Sequence, residues 1–161
     1  RLKALTATAE DNDKLFEKSR KLVLSLLEAD SLDALCDAYH QAMRQQFGVE
    51  HSAIILFGDY PEVGDRCRVE SADSAKANIG SLLRGGKPVC GSLRKDELSY
   101  LFPDIGSTGS AAVMPLDGDL KLGLIAVGNS DPNHYNNTIG TLFLSQIADV
   151  VVRLVPRFER Q

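Results

Sequence analysis

The stretch Ser110 to Val127, SAAVMPLDGDLKLGLIAV, decides the fold. Two apolar runs flank Asp117-Gly118, a dipeptide that favours the positive-φ geometry of a tight hairpin turn. The spacing predicts strands over Ser110 to Leu116 and Leu120 to Gly128. In the second strand Leu120, Leu122, Leu124 and Ala126 share one face, and Lys121, Gly123, Ile125 and Val127 the other. Downstream, TIGTLFLSQIADVVVRLV from Thr138 to Val155 aligns Ile139, Leu142, Phe143, Ile147, Val150, Val151, Leu154 and Val155 on one helical stripe. A hairpin followed by a long amphipathic helix predicts a sheet packed against a helix layer.

Upstream of the hairpin the chain reads in short elements. Leu2 to Glu28 lacks glycine and proline and predicts a long N-terminal helix. Leu2, Ala9, Phe16 and Val23 form one heptad column, and Leu5, Asn12, Ser19 and Leu26 a second, weakened by two polar residues. That pattern suits either a dimerising helix that carries a signal or an amphipathic helix on the domain's own sheet, with Leu22, Val23, Leu26 and Leu27 facing the domain. Asp30-Ser31 breaks this helix and caps a second, whose buried face is Leu32, Leu35, Cys36, Tyr39, Met43 and Phe47, stopped by Gly48. Ser52 to Phe57, SAIILF, predicts a central strand covered on both faces. Arg66 to Ser71 alternates as a half-exposed strand, with Cys67 and Val69 inward. Short helices follow over Ser74 to Arg84 and Lys95 to Phe102. Lys87 to Leu93, KPVCGSL, stays irregular between them.

The order predicts an α+β fold: an antiparallel sheet with long helices on one face, and short helices and loops on the other. Residues 1–29 form the N-terminal helix and 30–158 the domain. The chain has 161 residues, 43% of them hydrophobic, which suits one domain with an appended helix. A net charge of −4 without a basic stripe argues against nucleic acid. No apolar run approaches the ~18–20 residues of a membrane span. Arg1 in place of an initiator methionine, with no signal-peptide pattern after it, predicts a piece of a longer protein. Three cysteines, Cys36, Cys67 and Cys90, fall outside any CxxC pair, and His40, His51 and His134 lack metal-ligand spacing. A reducing, cytoplasmic setting without metal or other cofactor is the expectation.

The strands AAVMPL and LGLIAVGNS, the loop DPNHYNN and the helix LFLSQIADVVVRLV resemble the end of a GAF domain, a small-molecule-sensing module. The resemblance covers roughly Ser31 to Pro156. More narrowly, GKPVCGSL, SYLF, GSAAVMPL and FLSQIADVVVRL, after a leading helix, resemble the bacterial DUF484 family, a GAF-like group. The resemblance implies a GAF-like sheet and a non-catalytic sensory or regulatory role. An unidentified small molecule would bind between the sheet and the segment from Ile79 to Ser110. The candidate lining is Phe57, Leu83, Cys90, Ser92, Arg94, Phe102 and Ser110. The partner expected is a second copy, joined through the N-terminal and C-terminal helices.

Cys90, in Val89-Cys90-Gly91-Ser92, is the sharpest chemical candidate: Lys87 and Arg94 are near in sequence and would lower a thiol pKa if they are also near in space. The VCG setting also resembles GAF-type free methionine sulfoxide reductases. Their attacking and resolving cysteines have no counterpart in FPDIGSTGSAAV, so a packed cysteine at a tight turn is the plainer reading. Bilin attachment through a Cys-His pair and the cyclic-nucleotide constellation also find no match. Arg84, Lys87, Arg94 and Lys95 form a basic patch that reads as a solvated face or an anion clamp. Asp96-Glu97 reads as a solvated carboxylate pair. A dimerisation module without ligand stands as the alternative function, with a Cys90 thiol enzyme behind it.

Overall fold

A computed structural model of the chain describes residues 17–58, 68–83, 87–116, 122–135 and 142–159. A helix over 17–27 (α1) leads into α2 (Leu32–Gln45), β1 (His51–Phe57), β2 (Arg68–Glu70) and α3 (Ala72–Leu83). Then come β3 (Val89–Ser92), α4 (Lys95–Leu101), β4 (Ser110–Pro115), β5 (Gly123–Asn129) and α5 (Leu142–Glu159). The predicted residues of the first helix before Glu17, the Asp117-Gly118 turn and Cys67 lie outside the described residues.

The strands form one sheet in the order β2-β1-β5-β4-β3. The predicted hairpin is its centre: β4 and β5 pair antiparallel from Ser110↔Asn129 to Pro115↔Leu124. β1 joins β5 antiparallel, and the run SAIILF is covered on both faces, Ile54 and Leu56 by one core layer and Ala53, Ile55 and Phe57 by the other. Two features correct the expectation of a four-stranded, wholly antiparallel sheet. β2 pairs parallel to β1, Ile55 against Arg68 and Phe57 against Glu70, so these two strands run in the same direction and do not form a hairpin. The segment read as irregular supplies β3, an antiparallel edge strand on β4. Gly91, at φ 147, bends that strand in a region only glycine enters readily, which hides its period from the sequence.

Alternation along the strands divides the interior into two layers. Ile54 and Leu56 of β1, Ala112 and Met114 of β4, and Ile125 and Val127 of β5 face a wall built from α1, α2 and α5. Leu22, Leu26, Leu35, Tyr39, Met43, Ile147, Val151 and Val155 are the buried side of that wall. Ser31 caps α2, accepting a hydrogen bond from the Ala34 amide at 3.1 Å. The Tyr39 hydroxyl crosses this layer to donate to the Ala126 carbonyl at 3.0 Å, and burial pushes its pKa far above the ordinary tyrosine range. Cys36 is fully buried here, as its place on the helical face predicts.

The opposite faces of the same strands, Ala53, Ile55, Phe57, Ala111, Val113, Leu124 and Ala126, meet α3, α4 and the segment after α4. Close approach is enforced at two glycines. A Cβ on Gly123, at φ 137, would stand 2.0 Å from the Ile55 carbonyl oxygen. A Cβ on Gly128 would stand 2.6 Å from the Phe102 ring. The helical wall also departs from the heptad expectation. Ser19 and Leu26 of one column are buried against the domain itself, and Leu27, read as facing the domain, is 53% exposed beside Leu24 at 47%.

Candidate functional site

The layer between the sheet and α3/α4 is where the ligand hollow was expected. Its floor is made of small residues, Ala53, Ala111 and Ala126, between the larger Ile55, Val113 and Leu124. Ile79, Leu82, Leu98, Leu101, Phe102 and Ile105 sit on it from above, all buried. The protein's own side chains therefore fill the middle of the layer. α3 carries a break in helical geometry at Ile79 (φ −132, ψ 28), and Ile79 itself is fully buried. Ser81, two residues on, donates from its hydroxyl to Oε2 of Glu97 on α4 at 2.7 Å.

Glu97 corrects the reading of a solvated acidic pair: its neighbour Asp96 is exposed, while Glu97 is 4% exposed. Its Oε1 also accepts from the Arg94 amide at 3.1 Å, half of a capping box at the start of α4. Burial pushes this carboxyl up, but the Ser81 hydroxyl, the Arg94 amide and the Arg94 guanidinium outweigh it and hold it below the usual carboxylate range. Arg94 closes the ion pair at 3.4 Å with its own side chain 69% exposed. Glu97 is thus a strut between α3 and α4.

At the β2 edge of the layer polar groups converge. The parallel register puts Arg68 beside Ile55 and Glu70 beside Phe57, on the α3/α4 side. The Arg68 Nε donates to Glu70 Oε1 at 3.3 Å, and Nη1 donates to the Leu101 carbonyl at 3.4 Å. Its guanidinium carbon lies 4.6 Å from the centre of the Tyr100 ring, a cation–π contact. The Tyr100 hydroxyl oxygen is buried and has no hydrogen-bond partner among the described residues. Buried hydroxyls are almost always satisfied, so this one marks a place where an acceptor or donor belongs.

The seven candidate lining residues do not converge. Phe57 and Phe102 are buried on the α3/α4 side of the sheet. The Leu83 side chain lies outside what is described. Arg94 is exposed and spent on Glu97. Cys90 pairs with Ala112 and packs against the opposite layer, the one built by α1, α2 and α5. Ser92 pairs with Ser110 at the end of the same edge and is exposed. Ser110 is buried, and its hydroxyl is committed to backbone: it donates to the Asp131 carbonyl at 2.7 Å and accepts from the Tyr135 amide at 3.0 Å. A period-2 strand sends alternate residues to opposite sides, and the local sequence of KPVCGSL does not say which side is which. Arg68, Tyr100 and the burial of Glu97 escaped the sequence reading. Only the β2 register and the start of α4 bring them into play.

Around Cys90 the loop after β5 is tied down. The Asn129 and Asp131 side chains accept from the amides of Asp131 (2.8 Å) and Asn133 (2.9 Å). Glu50 accepts from the Ser130 amide at 3.0 Å and pairs with His51 at 3.2 Å. Hydrogen bonds from Ser130 hold the Glu50 carboxyl below the usual range. Burial, with Cys90 and Glu50 nearby, pushes the Tyr135 phenol up to about 12. Among the described residues no group of three or more His, Cys, Asp or Glu side chains is placed to hold a metal ion. Among them, too, no helix is long and apolar enough to cross a membrane.

A family model described as "Protein of unknown function, DUF484" matches residues 1–160. The chain belongs to the DUF484 family. Uncharacterized protein YigA of Salmonella typhimurium (strain LT2) is 28% identical over 158 residues, 96% of this chain and 67% of that protein. Uncharacterized protein YigA of Escherichia coli (strain K12) is 27% identical over 151 residues, 91% of this chain and 64% of that protein. This DUF484 chain thus spans about two thirds of the length of those relatives. Among solved structures, the chromophore-binding domain of the bacteriophytochrome RpBphP3 from R. palustris superposes with a TM-score of 0.61 at 13% identity, over 92% of this chain and 63% of that one. The far-red absorbing dark state of JSC1_58120g3 with bound biliverdin IXa gives a TM-score of 0.58 at 12% identity, over 88% and 99%. The DUF484 chain therefore has a GAF-like α+β fold of the kind found in phytochrome chromophore-binding domains.

Proposed function

We propose that this DUF484 chain is a non-catalytic sensory or regulatory module that binds a small molecule at the α3/α4 side of its sheet and signals through the packing of its helices. The observation that carries this reading is the buried, unpartnered hydroxyl of Tyr100, whose ring lies under the Arg68 guanidinium at the polar edge of the layer. Phe57 and Phe102 are the candidate lining residues that remain on this side. A fold shared with a biliverdin-bound protein supports the idea that such a sheet accepts a guest; at 12% identity it does not carry the pigment over. The guest expected is smaller, with a hydrogen-bond acceptor for Tyr100 and Arg68. Binding would displace part of the packed layer, so affinity depends on the energy of reopening it. Native mass spectrometry of the untreated protein, followed by a thermal-shift screen of metabolites, tests this. A retained or stabilising compound should lose its effect in Arg68→Ala and weaken in Tyr100→Phe. No retained mass and no compound that raises Tm would defeat the reading.

A second reading, a dimerisation module working through α1 and α5, is favoured by the exposed Leu24 and Leu27. Large apolar side chains placed together on the outer side of a helix mark an interaction face. Sedimentation of the chain over a concentration series tests it, and a strictly monomeric chain refutes it.

A further inference from the structure

α1 is apolar on two sides. Its inner side buries Leu22 and Leu26 in the domain core. Its outer side carries Leu24 and Leu27, 47% and 53% exposed, the large apolar side chains most open to water among the described residues. Beside them, between α1 and α5, lies a cleft of about 220 Å³ lined by Ser19, Arg20, Val23, Leu24 and Gln146. That exceeds the ~150 Å³ cavity that holds a benzene ring, so one leucine side chain fits. A knob and a hole therefore adjoin on one surface. An isologous two-fold interface needs this self-complementarity, because each copy must offer both halves of the contact.

The charges of α1, together with those of the residues that follow it up to Asp30, select the direction. Glu17, Lys18, Arg20 and Lys21 make residues 17–23 net +2, and Glu28 and Asp30 make residues 24–30 net −2. A parallel pair would set basic half against basic half and acidic against acidic. An antiparallel pair sets each basic half against an acidic one. We propose that a second copy of this chain docks on this face about a two-fold axis midway between Leu24 and Leu27, with the two α1 helices antiparallel. Leu24 then lies opposite the partner's Leu27, which enters the α1/α5 cleft, and Lys21 lies opposite the partner's Asp30. This rests on the dimerisation reading above and adds its geometry.

The test uses the full chain. Sedimentation equilibrium should give twice the 17.5 kDa chain mass, falling to the single-chain mass in Leu24→Glu/Leu27→Glu. Circular dichroism melts check that this variant is folded, which its exposed positions allow. Lys21→Glu should weaken association several-fold, more at low salt than at high, and Lys21→Glu/Asp30→Lys should restore it. Mixing Leu24→Cys with Leu27→Cys chains under oxidation should give a 24–27 cross-link by peptide mass spectrometry, with little 24–24 linkage. A dimer that cross-links 24 to 24, or that ignores the Leu24/Leu27 and Lys21 variants, overturns the antiparallel geometry and leaves dimerisation standing. A monomer at every concentration overturns both, including one whose residues 1–16 shield a Leu24→Cys thiol from alkylation.

Discussion

Gly128→Ala tests the packing that closes the α3/α4 layer. At Gly128 the added methyl would stand 2.6, 2.8 and 2.9 Å from three carbons of the Phe102 ring, all inside normal contact distance. Phe102 is 2% exposed, so the ring has no open space to swing into. His51 flanks it, with ring centres 6.0 Å apart. The backbone at Gly128 is not in the left-handed region, so the penalty is steric. Overpacking of this kind costs about 1–3 kcal/mol. Removing the ring removes the clash: Phe102→Ala alone should cost about 3–5 kcal/mol for the lost burial and the cavity it leaves. In that background Gly128→Ala should cost close to nothing. Urea unfolding of the four proteins gives a coupling energy, expected to be favourable by about 1–3 kcal/mol, well beyond the ~0.5 kcal/mol within which independent sites add. Strict additivity would mean that Phe102 does not lie on Gly128, and the account of how this layer is filled would be wrong. The same measurement bears on ligand binding, because any guest on this side must move the ring or settle at the polar edge beside it.

Gly123→Ala should be far more damaging: the methyl would meet the Ile55 carbonyl oxygen at 2.0 Å at a φ of 137, combining steric clash with backbone strain. A loss of roughly 3–5 kcal/mol follows from the two effects together, read as a collapse of Tm or of soluble yield. Tyr39→Phe removes the hydroxyl that donates to the Ala126 carbonyl and should lower stability by about 1 kcal/mol in urea, with the fold unchanged by circular dichroism. Because Glu97 is held below its ordinary 4.5, its ionised form stabilises the native state above that pH, and the contribution is lost as pH falls through the lower folded-state value. Glu97→Gln should therefore be less stable than the parent at neutral pH and show a shallower loss of Tm on acidification. Parallel acid curves for the two proteins would refute the strut.

Much of this molecule was legible from local patterns. Ser110 to Val127 announced the central hairpin because a period of two around a turn dipeptide is a short-range signal. Its apolar content also placed Ile125 and Val127 opposite Leu124 and Ala126, as the two buried layers have them, but Leu122, read on the Leu124 face, packs against the Ile125 layer because it precedes the regular strand. The part of the C-terminal stripe from Ile147 to Val155, the Ser31 cap and the fully buried Cys36 were equally local, while Ile139 and the side chains of Leu142 and Phe143 lie outside what is described.

What stayed hidden depends on partners distant in sequence. β2 runs parallel to β1, and that register goes with an Arg68 guanidinium lying over the Tyr100 ring. Cys90 faces the long helices, away from Phe57, because β3 pairs it with Ala112. Glu97 is buried and Asp96 exposed through the docking of α4 on Ser81. Of the leucines read as facing the domain, Leu22 and Leu26 are buried, but Leu27 faces water beside Leu24. Sequence alone determined most of the described strands and helices, with β3 the exception, because hydrophobic period and turn chemistry act within a few residues. Tertiary structure alone decided which side of the sheet each candidate residue serves, because that is set by pairing and packing with residues tens of positions away.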